Sequence, residues 1–153
     1  MKSLELLIPP VVLFAIIAAV MWGIAQITPM LNITWLIRFG LALPIFAIAL
    51  LIVLMSLIAF RKAKTTVTPL HPESASSLIQ KGIFAYSRNP IYLALLLCLL
   101  GFVFLLASPF AMLGLVLVYV YITQFQIKPE ERALQHCFGL EYHEYMKRVR
   151  RWL

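Results

Sequence analysis

The run Gly82-Ile83-Phe84-Ala85-Tyr86-Ser87-Arg88-Asn89-Pro90-Ile91-Tyr92 and the pair Glu130-Glu131 place charged and polar groups beside some of the most apolar stretches of this chain. Charges this close to lipid are costly unless they find partners, so these residues are candidates for a working site. The chemistry they offer is ionic recognition. Pro90 suits the first position of a helix, with Asn89 extended before it and its side chain free to cap. A helix N-terminus that points from the membrane into a polar loop is a natural anion site. Pro129 is placed to open a further helix whose first turn holds Glu130 and Glu131, favourably set against the helix dipole. Taken singly, each residue has a plainer use. Arg88 can contact a lipid phosphate, Asn89 can cap a helix, the glutamates can cap the tail or pair with Arg132, and Tyr86 and Tyr92 can belong to an interfacial aromatic belt.

The elements that position these residues follow from composition. Of 153 residues 63% are hydrophobic, the mean hydropathy is +0.95, and several stretches are long enough to cross a bilayer. Leu6 to Ile27 and Ile33 to Phe60 are two of them. Ile91 to Ile127 is too long for one crossing and breaks at Ser108-Pro109. The expected fold is an all-α integral membrane protein with four transmembrane helices over 6–27, 33–60, 91–107 and 109–127, the last two a tight hairpin. A cytoplasmic loop is expected over 61–90 and a cytoplasmic tail helix over 129–150, the whole forming one membrane domain. Pro9-Pro10 fits the first turn of the first helix, and Pro44 is expected to kink the second. The N-terminal run is too long, and lacks the small-residue cleavage site, for a removable signal peptide.

Charge orients these elements. Arg61, Lys62 and Lys64 follow the second helix, Lys81 and Arg88 precede the third, and Lys128, Arg132, Lys147, Arg148, Arg150 and Arg151 follow the fourth. By the positive-inside rule both segments, and both termini, are cytoplasmic. The net charge of +7 is therefore topological, with membrane lipids as partners and no nucleic acid. Leu134, Phe138, Tyr142, Tyr145, Val149 and Trp152 recur at helical spacing among basic residues, which describes an amphipathic helix suited to the inner leaflet, with Gly139 marking a break or a close contact. Arg38, inside the second apolar stretch, either snorkels to the outer surface or faces an internal partner.

Other chemistries lack their residues. Cys98 and Cys137 lie on separate segments, His71, His136 and His143 are scattered, and no metal-ligand spacing occurs. The chain contains no aspartate, and no G-x-G-x-x-G, G-x-x-x-x-G-K-[ST] or G-x-S-x-G. Thr65, Thr66, Thr68, Pro69, Pro72, Ser74, Ser76 and Ser77 make the loop before Gly82 turn-rich, and such a loop is able to wrap a polar ligand.

The run from Gly82 to Tyr92, a hydrophobic hairpin, Glu130-Glu131-Arg132-x-Leu134, Phe138-Gly139-x-x-Tyr142-x-x-Tyr145 and Val149-x-Arg151-Trp152 together resemble the isoprenylcysteine carboxyl methyltransferase family in order and spacing. More broadly the pattern is similar to the membrane methyltransferases that include phospholipid N-methyltransferases, all of which use S-adenosylmethionine. The resemblance implies a cytoplasmic cofactor pocket roofed by the loop and the tail helix, with a lipophilic small-molecule or lipid substrate entering sideways between helices. By position it puts cofactor contacts on Ser76, Ser77, Leu78 and Ile79, on Gly82, Phe84 and Tyr86, on Asn89, Pro90, Ile91 and Tyr92, and on Glu130. Arg88, Glu130 and Glu131 are the candidate catalytic residues.

These residue types suit the cofactor. Glu130 can pair with its ammonium while Arg88 or the helix N-terminus receives its carboxylate, and Phe84, Tyr86 or Tyr92 can pack on adenine or meet the sulfonium. No base titrating near neutrality is evident beside the motif, apart from His136 and His143, which favours an acceptor already ionised over an amine. The chain departs from the eukaryotic enzymes at two positions. Asn89 stands where they have histidine, and Gln126 stands where they have an arginine assigned to substrate, with Lys128 the nearest cation. A bacterial or archaeal inner-membrane methyltransferase acting on a small lipophilic carboxylate, thiolate or amine is the resulting expectation. The alternatives are a nicotinamide-dependent reductase of the sterol reductase type and a non-catalytic membrane transporter or lipid-binding scaffold.

Overall fold

The computed structural model describes residues 6–63 and 77–153. Ser76 and His71, with most of the turn-rich loop, lie outside the described residues. Helix α1 spans Pro10–Ile27, α2 Trp35–Ala63, α3 Pro90–Leu106, α4 Met112–Ile122 and α5 Lys128–Arg148. Short 3₁₀ turns occupy Gly82–Ala85 and Pro109–Ala111, and a π-helical segment, Thr123–Ile127, joins α4 to α5 without interruption. There is no strand among the described residues. Among the described residues three helices are long and apolar enough to cross a membrane: α1, α2 and the continuous helix Pro109–Arg148. At 17 residues, α3 is about 26 Å long, close to the hydrocarbon thickness of a bilayer.

The core forms where α1, α3 and α4 meet, around Phe14, Met21, Leu99, Val118 and Ile122, and Trp152 from the far end of the chain packs against it. Helix α2 makes its broadest contact with α3 and turns most of its other side chains outward. Close approach of α2 and α3 depends on Gly101: a Cβ there would stand 2.7 Å from the Phe46 ring.

At the end of the bundle formed by residues 28–34 and 107–111, Ala107 closes α3 in the left-handed conformation (φ 48°) and its carbonyl accepts from Leu31. Arg38 has an internal partner rather than an exposed one. Its guanidinium donates to the carbonyls of Ile33 (2.9 Å), Leu31 (3.4 Å) and Leu105 (3.5 Å) and lies 4.8 Å over the Trp35 ring. It supplies donors to the Leu105 carbonyl in the last turn of α3 and to carbonyls of the α1–α2 connection, of which Leu31 also accepts from the Ile33 N–H at 2.8 Å.

Several boundaries differ from expectation. Helix α1 starts at Pro10, not Leu6. Helix α2 continues past Phe60 through Arg61 and Lys62, whose charges favour the C-terminal end of its dipole, and it runs through Pro44 unbroken. The tail is not a separate helix opened by Pro129, because α5 continues α4. Glu130 and Glu131 therefore face no free helix N-terminus. Gly139 is the break (φ 50°, ψ −120°), with no atom within 4 Å of where its Cβ would be. The apolar stripe of the tail also faces inward, since Tyr142, Tyr145 and Val149 are buried against Leu78, Leu134, Phe138 and Met146.

Candidate functional site

The polar run is shaped by local bonds and by the end of the chain. Gly82 (φ 66°) turns into the 3₁₀ segment, after which Tyr86 and Ser87 both donate to the Ile83 carbonyl. The buried Ser87 hydroxyl accepts from the Asn89 N–H at 3.2 Å. Arg88 N–H donates to the Arg150 carbonyl and the Asn89 side chain to the Arg151 carbonyl, at 3.1 and 2.9 Å. Asn89 therefore does not cap α3: its amide is used on the C-terminal segment, and its backbone (φ −131°, ψ 55°) is short of fully extended. The hydroxyl of Tyr145 donates to the Phe84 carbonyl at 2.6 Å, fastening α5 to the same run.

The two glutamates do different things. Glu131 receives a two-pronged bond from Arg151, Nε at 2.9 Å and Nη2 at 2.7 Å, and pairs with Arg88 Nη2 at 3.1 Å. Both of its oxygens are engaged in a brace between α5, the start of α3 and the chain's last residues. Arg88, with a side chain only 10% exposed, leaves Nε and Nη1 without a well-formed hydrogen bond, with the Tyr142 hydroxyl beside its guanidinium. Buried donors without partners are uncommon and expensive. Among the described residues Glu130 has one hydrogen-bond partner, the hydroxyl of Tyr92, which donates to it. It lies beyond the apolar stretch ending at Ile127, and burial pushes its carboxyl up to about 8; the Tyr92 hydrogen bond opposes this and the Glu131 charge adds to it. A carboxyl exchanging its proton near neutrality is thus present, though nothing in the sequence around the motif marks it as one.

Two cavities border these groups. The smaller, about 140 Å³, is lined by Phe60, Ser77, Leu78, Ile79, Phe84, Arg88, Asn89, Glu130, Glu131, Leu134, Tyr142 and Tyr145. The larger, about 800 Å³, lies between the end of α2 and the 78–83 segment, against Met55, Ile58, Ala59, Lys62, Lys81, Gly82, Ile83 and Glu141. Leu78 and Ile79 wall both. Gln80 holds the tail beside the larger cavity, donating to Glu141 and accepting from Arg148, each at 2.7 Å.

Of the residues expected at the site, Ser77, Leu78, Ile79, Gly82, Phe84, Arg88, Asn89, Glu130 and Glu131 line one cavity or the other, and Tyr92 reaches it through Glu130. Pro90 is buried as the first residue of α3, and neither it nor Ile91 lines a cavity. Tyr86 is 71% exposed, so it has no aromatic role in the pocket. Gln126 is completely buried and donates to the Ile8 carbonyl at 2.8 Å, its oxygen lacking a partner. Lys128 is tied to Gln124 at 2.7 Å. Phe60, Lys62 and Glu141 are wall residues that the sequence did not single out as such, while Leu134, Tyr142 and Tyr145 belonged to the family pattern and the helical stripe without being assigned to the site. Among the described residues no three His, Cys, Asp or Glu side chains converge as a metal site.

Comparison with known proteins gives a family. Residues 37–141 match the model of the phospholipid methyltransferase family. A Haemophilus influenzae protein described as uncharacterized is 46% identical over 63 residues, 41% of this chain and all of that protein. Two proteins from Oryza sativa, of the subspecies indica and japonica, each described as a probable protein-S-isoprenylcysteine O-methyltransferase, are 28% identical over 95 residues. That match covers 62% of this chain and spans about half the length (50%) of the rice proteins. No solved structure matches the chain.

Proposed function

The chain belongs to the phospholipid methyltransferase family, and from that premise we propose that it transfers a methyl group from S-adenosylmethionine to a small lipophilic acceptor, in the cleft walled by the 77–89 segment and α5. The reading includes four membrane-crossing helices, with α3 as the fourth, and a cleft on the cytoplasmic side of a bacterial or archaeal inner membrane. The distribution of Lys and Arg supports that orientation.

The observation that carries the reading is a pair of buried ionisable groups on one small cavity, Arg88 with two N–H groups lacking a well-formed hydrogen bond and Glu130 with Tyr92 as its partner among the described residues. They fit a zwitterion. Arg88 donates to a carboxylate, and Glu130, once ionised, holds an ammonium. Glu131 positions Arg88 and is itself held by Arg151. The larger cavity supplies room for the remainder of the cofactor, its volume falling within the range of small-molecule sites. S-adenosylmethionine, when bound, supplies an electrophilic methyl group on a sulfonium.

The chain's contribution is position and exclusion of water. Tyr142 and Tyr145 line the cavity wall and Tyr92 backs Glu130, and a buried site of this kind strengthens the ionic contacts within it. A lipophilic acceptor has an apolar groove of about 270 Å³ available between α3 and α4, lined by Leu93, Leu96, Leu97, Leu100, Leu115, Val116 and Tyr119. Trp152 packs on Tyr119 at 5.3 Å, so the C-terminal segment reaches from this groove to the Arg88 brace. The test is transfer of a labelled methyl group from S-adenosylmethionine into the lipid fraction of membranes containing the protein. Label enters that fraction with the wild-type protein and not with Glu130→Gln. Equal incorporation by the two proteins overturns the assignment.

A further inference from the structure

The helix that carries Glu130 contains a fault of its own. Pro129 has no N–H, so in a plain α-helix the Phe125 carbonyl four residues earlier loses its donor and meets the proline ring. At this place the helix departs from α geometry. Thr123–Ile127 is π-helical, and the Lys128 N–H bonds to the Thr123 carbonyl five residues back. The Phe125 carbonyl takes a hydrogen bond from elsewhere, the N–H of Leu6 at 3.0 Å. Two residues along, the Ile8 carbonyl accepts from the side-chain nitrogen of Gln126 at 2.8 Å, and Ile8 packs on the core. A carbonyl only accepts, so it dictates which end of the Gln126 amide faces it. Leu6 holds φ 55°, a left-handed conformation that leucine keeps only when its surroundings enforce it.

We propose that residues 6–8 form a clasp that supplies the donor Pro129 lacks, stabilises the π-helical segment and thereby sets the rotation of Glu130 toward Tyr92, with Gln126 as the positioning residue. Gln126 lies four residues before Glu130, on the same face of the helix. Were the segment to relax into regular α-helix, everything beyond it would turn by about 100°, one residue's rotation, and Glu130 would leave Tyr92 and the cavity it shares with Arg88. The Gln126 amide is thus engaged within the chain rather than offered to a substrate. The clasp stands on geometry alone; its consequence for cofactor binding rests on the methyltransferase reading.

The test compares the wild-type protein, Gln126→Met, Leu6→Gly and Pro129→Ala in one detergent, by amide hydrogen exchange without ligand and by titration with S-adenosylhomocysteine between about pH 6 and 8. Gln126→Met is expected to speed exchange across 123–131 while leaving α2 unchanged, to weaken S-adenosylhomocysteine binding about tenfold and to shift its pH dependence. Leu6→Gly keeps the N–H and relieves the left-handed conformation, so it behaves as wild type in both measurements. Pro129→Ala gives Phe125 an internal donor and speeds exchange of the Leu6 amide. This last variant decides the matter if Gln126→Met does not fold. Unchanged exchange across 123–131 in Gln126→Met, or at Leu6 in Pro129→Ala, overturns the clasp. Faster exchange with unaltered affinity and pH dependence overturns the positioning role. Wild-type protein that binds no S-adenosylhomocysteine, with exchange as predicted, overturns the methyltransferase reading and upholds the clasp.

Discussion

Glu130 carries the pH dependence of the proposed site. Its carboxyl is raised to about 8 by burial, so at neutral pH it is largely protonated until a cation arrives. Binding of S-adenosylmethionine should therefore strengthen as pH rises from about 6 to 8, with release of a proton, and Glu130→Gln should abolish both effects; calorimetry in buffers of different ionisation enthalpy measures the proton directly. The stability effect has the opposite sign. A group whose folded pKa lies above its unfolded value of 4.5 stabilises the fold fully below that value and loses the contribution as pH rises through about 8, so the ligand-free protein should melt lower at pH 8 than at pH 5. Arg88→Ala separates binding from folding. Glu131 keeps both bonds to Arg151, so the melting temperature should change little, while affinity for S-adenosylmethionine falls by about 1.5–3 kcal/mol. At this scale the sequence marked charges that the fold brings to one cavity and could not pair them. Arg88 and Glu130 stand out because ionic residues beside lipid are rare. That Glu131 is used by Arg151, 20 residues on, and that Asn89 serves the chain's end instead of a helix, depend on tertiary approach that spacing does not encode.

The helices were legible from apolar length, and their junctions were not. Pro129 reads as the start of a helix, yet α4 runs into α5 because a π-helical segment and a donor from Leu6 accommodate the proline. Arg61 and Lys62 read as loop, yet they prolong α2. Gly139 is the junction that sequence located correctly, for a backbone at φ 50°, ψ −120° is tolerated by glycine and hardly by any other residue. Gly139→Ala should cost roughly 1–3 kcal/mol in a thermal or chemical melt, although open space surrounds the missing Cβ. Arg38 ties the start of α2 to the end of α3 at the opposite end of the bundle from Glu130. Arg38→Ala should lower stability by about 1 kcal/mol, through loss of hydrogen bonds to half-buried carbonyls, with S-adenosylmethionine affinity unchanged. A loss of affinity equal to that of Arg88→Ala would show that the two ends of the bundle are coupled.

Across the whole molecule, the candidate site residues gather where the mid-chain segment before α3 meets the C-terminal part of the chain. The 77–89 segment is bracketed by α5 and by residues 149–152, and residues 6–8 reach the same end through the π-helical segment. Sequence resemblance identified this gathering because the matched pieces keep their order, although they are separated by a hairpin with little polar information. It also described the tail as a surface anchor, since an amphipathic stripe has the same period whether it meets lipid or protein. On the proposed orientation, Cys137, exposed on α5, should react with a membrane-impermeant thiol reagent in inside-out vesicles and not in right-side-out ones; the reverse pattern inverts the topology. The central claim, a zwitterionic methyl donor held between Arg88 and Glu130, is met most directly by calorimetric titration of S-adenosylmethionine into the purified protein beside Glu130→Gln, with NADPH as the competing cofactor. The account predicts saturable binding of S-adenosylmethionine to the wild-type protein, sharply weaker binding to Glu130→Gln, and no binding of NADPH. Binding of NADPH in its place, or of S-adenosylmethionine equally to both proteins, would contradict it.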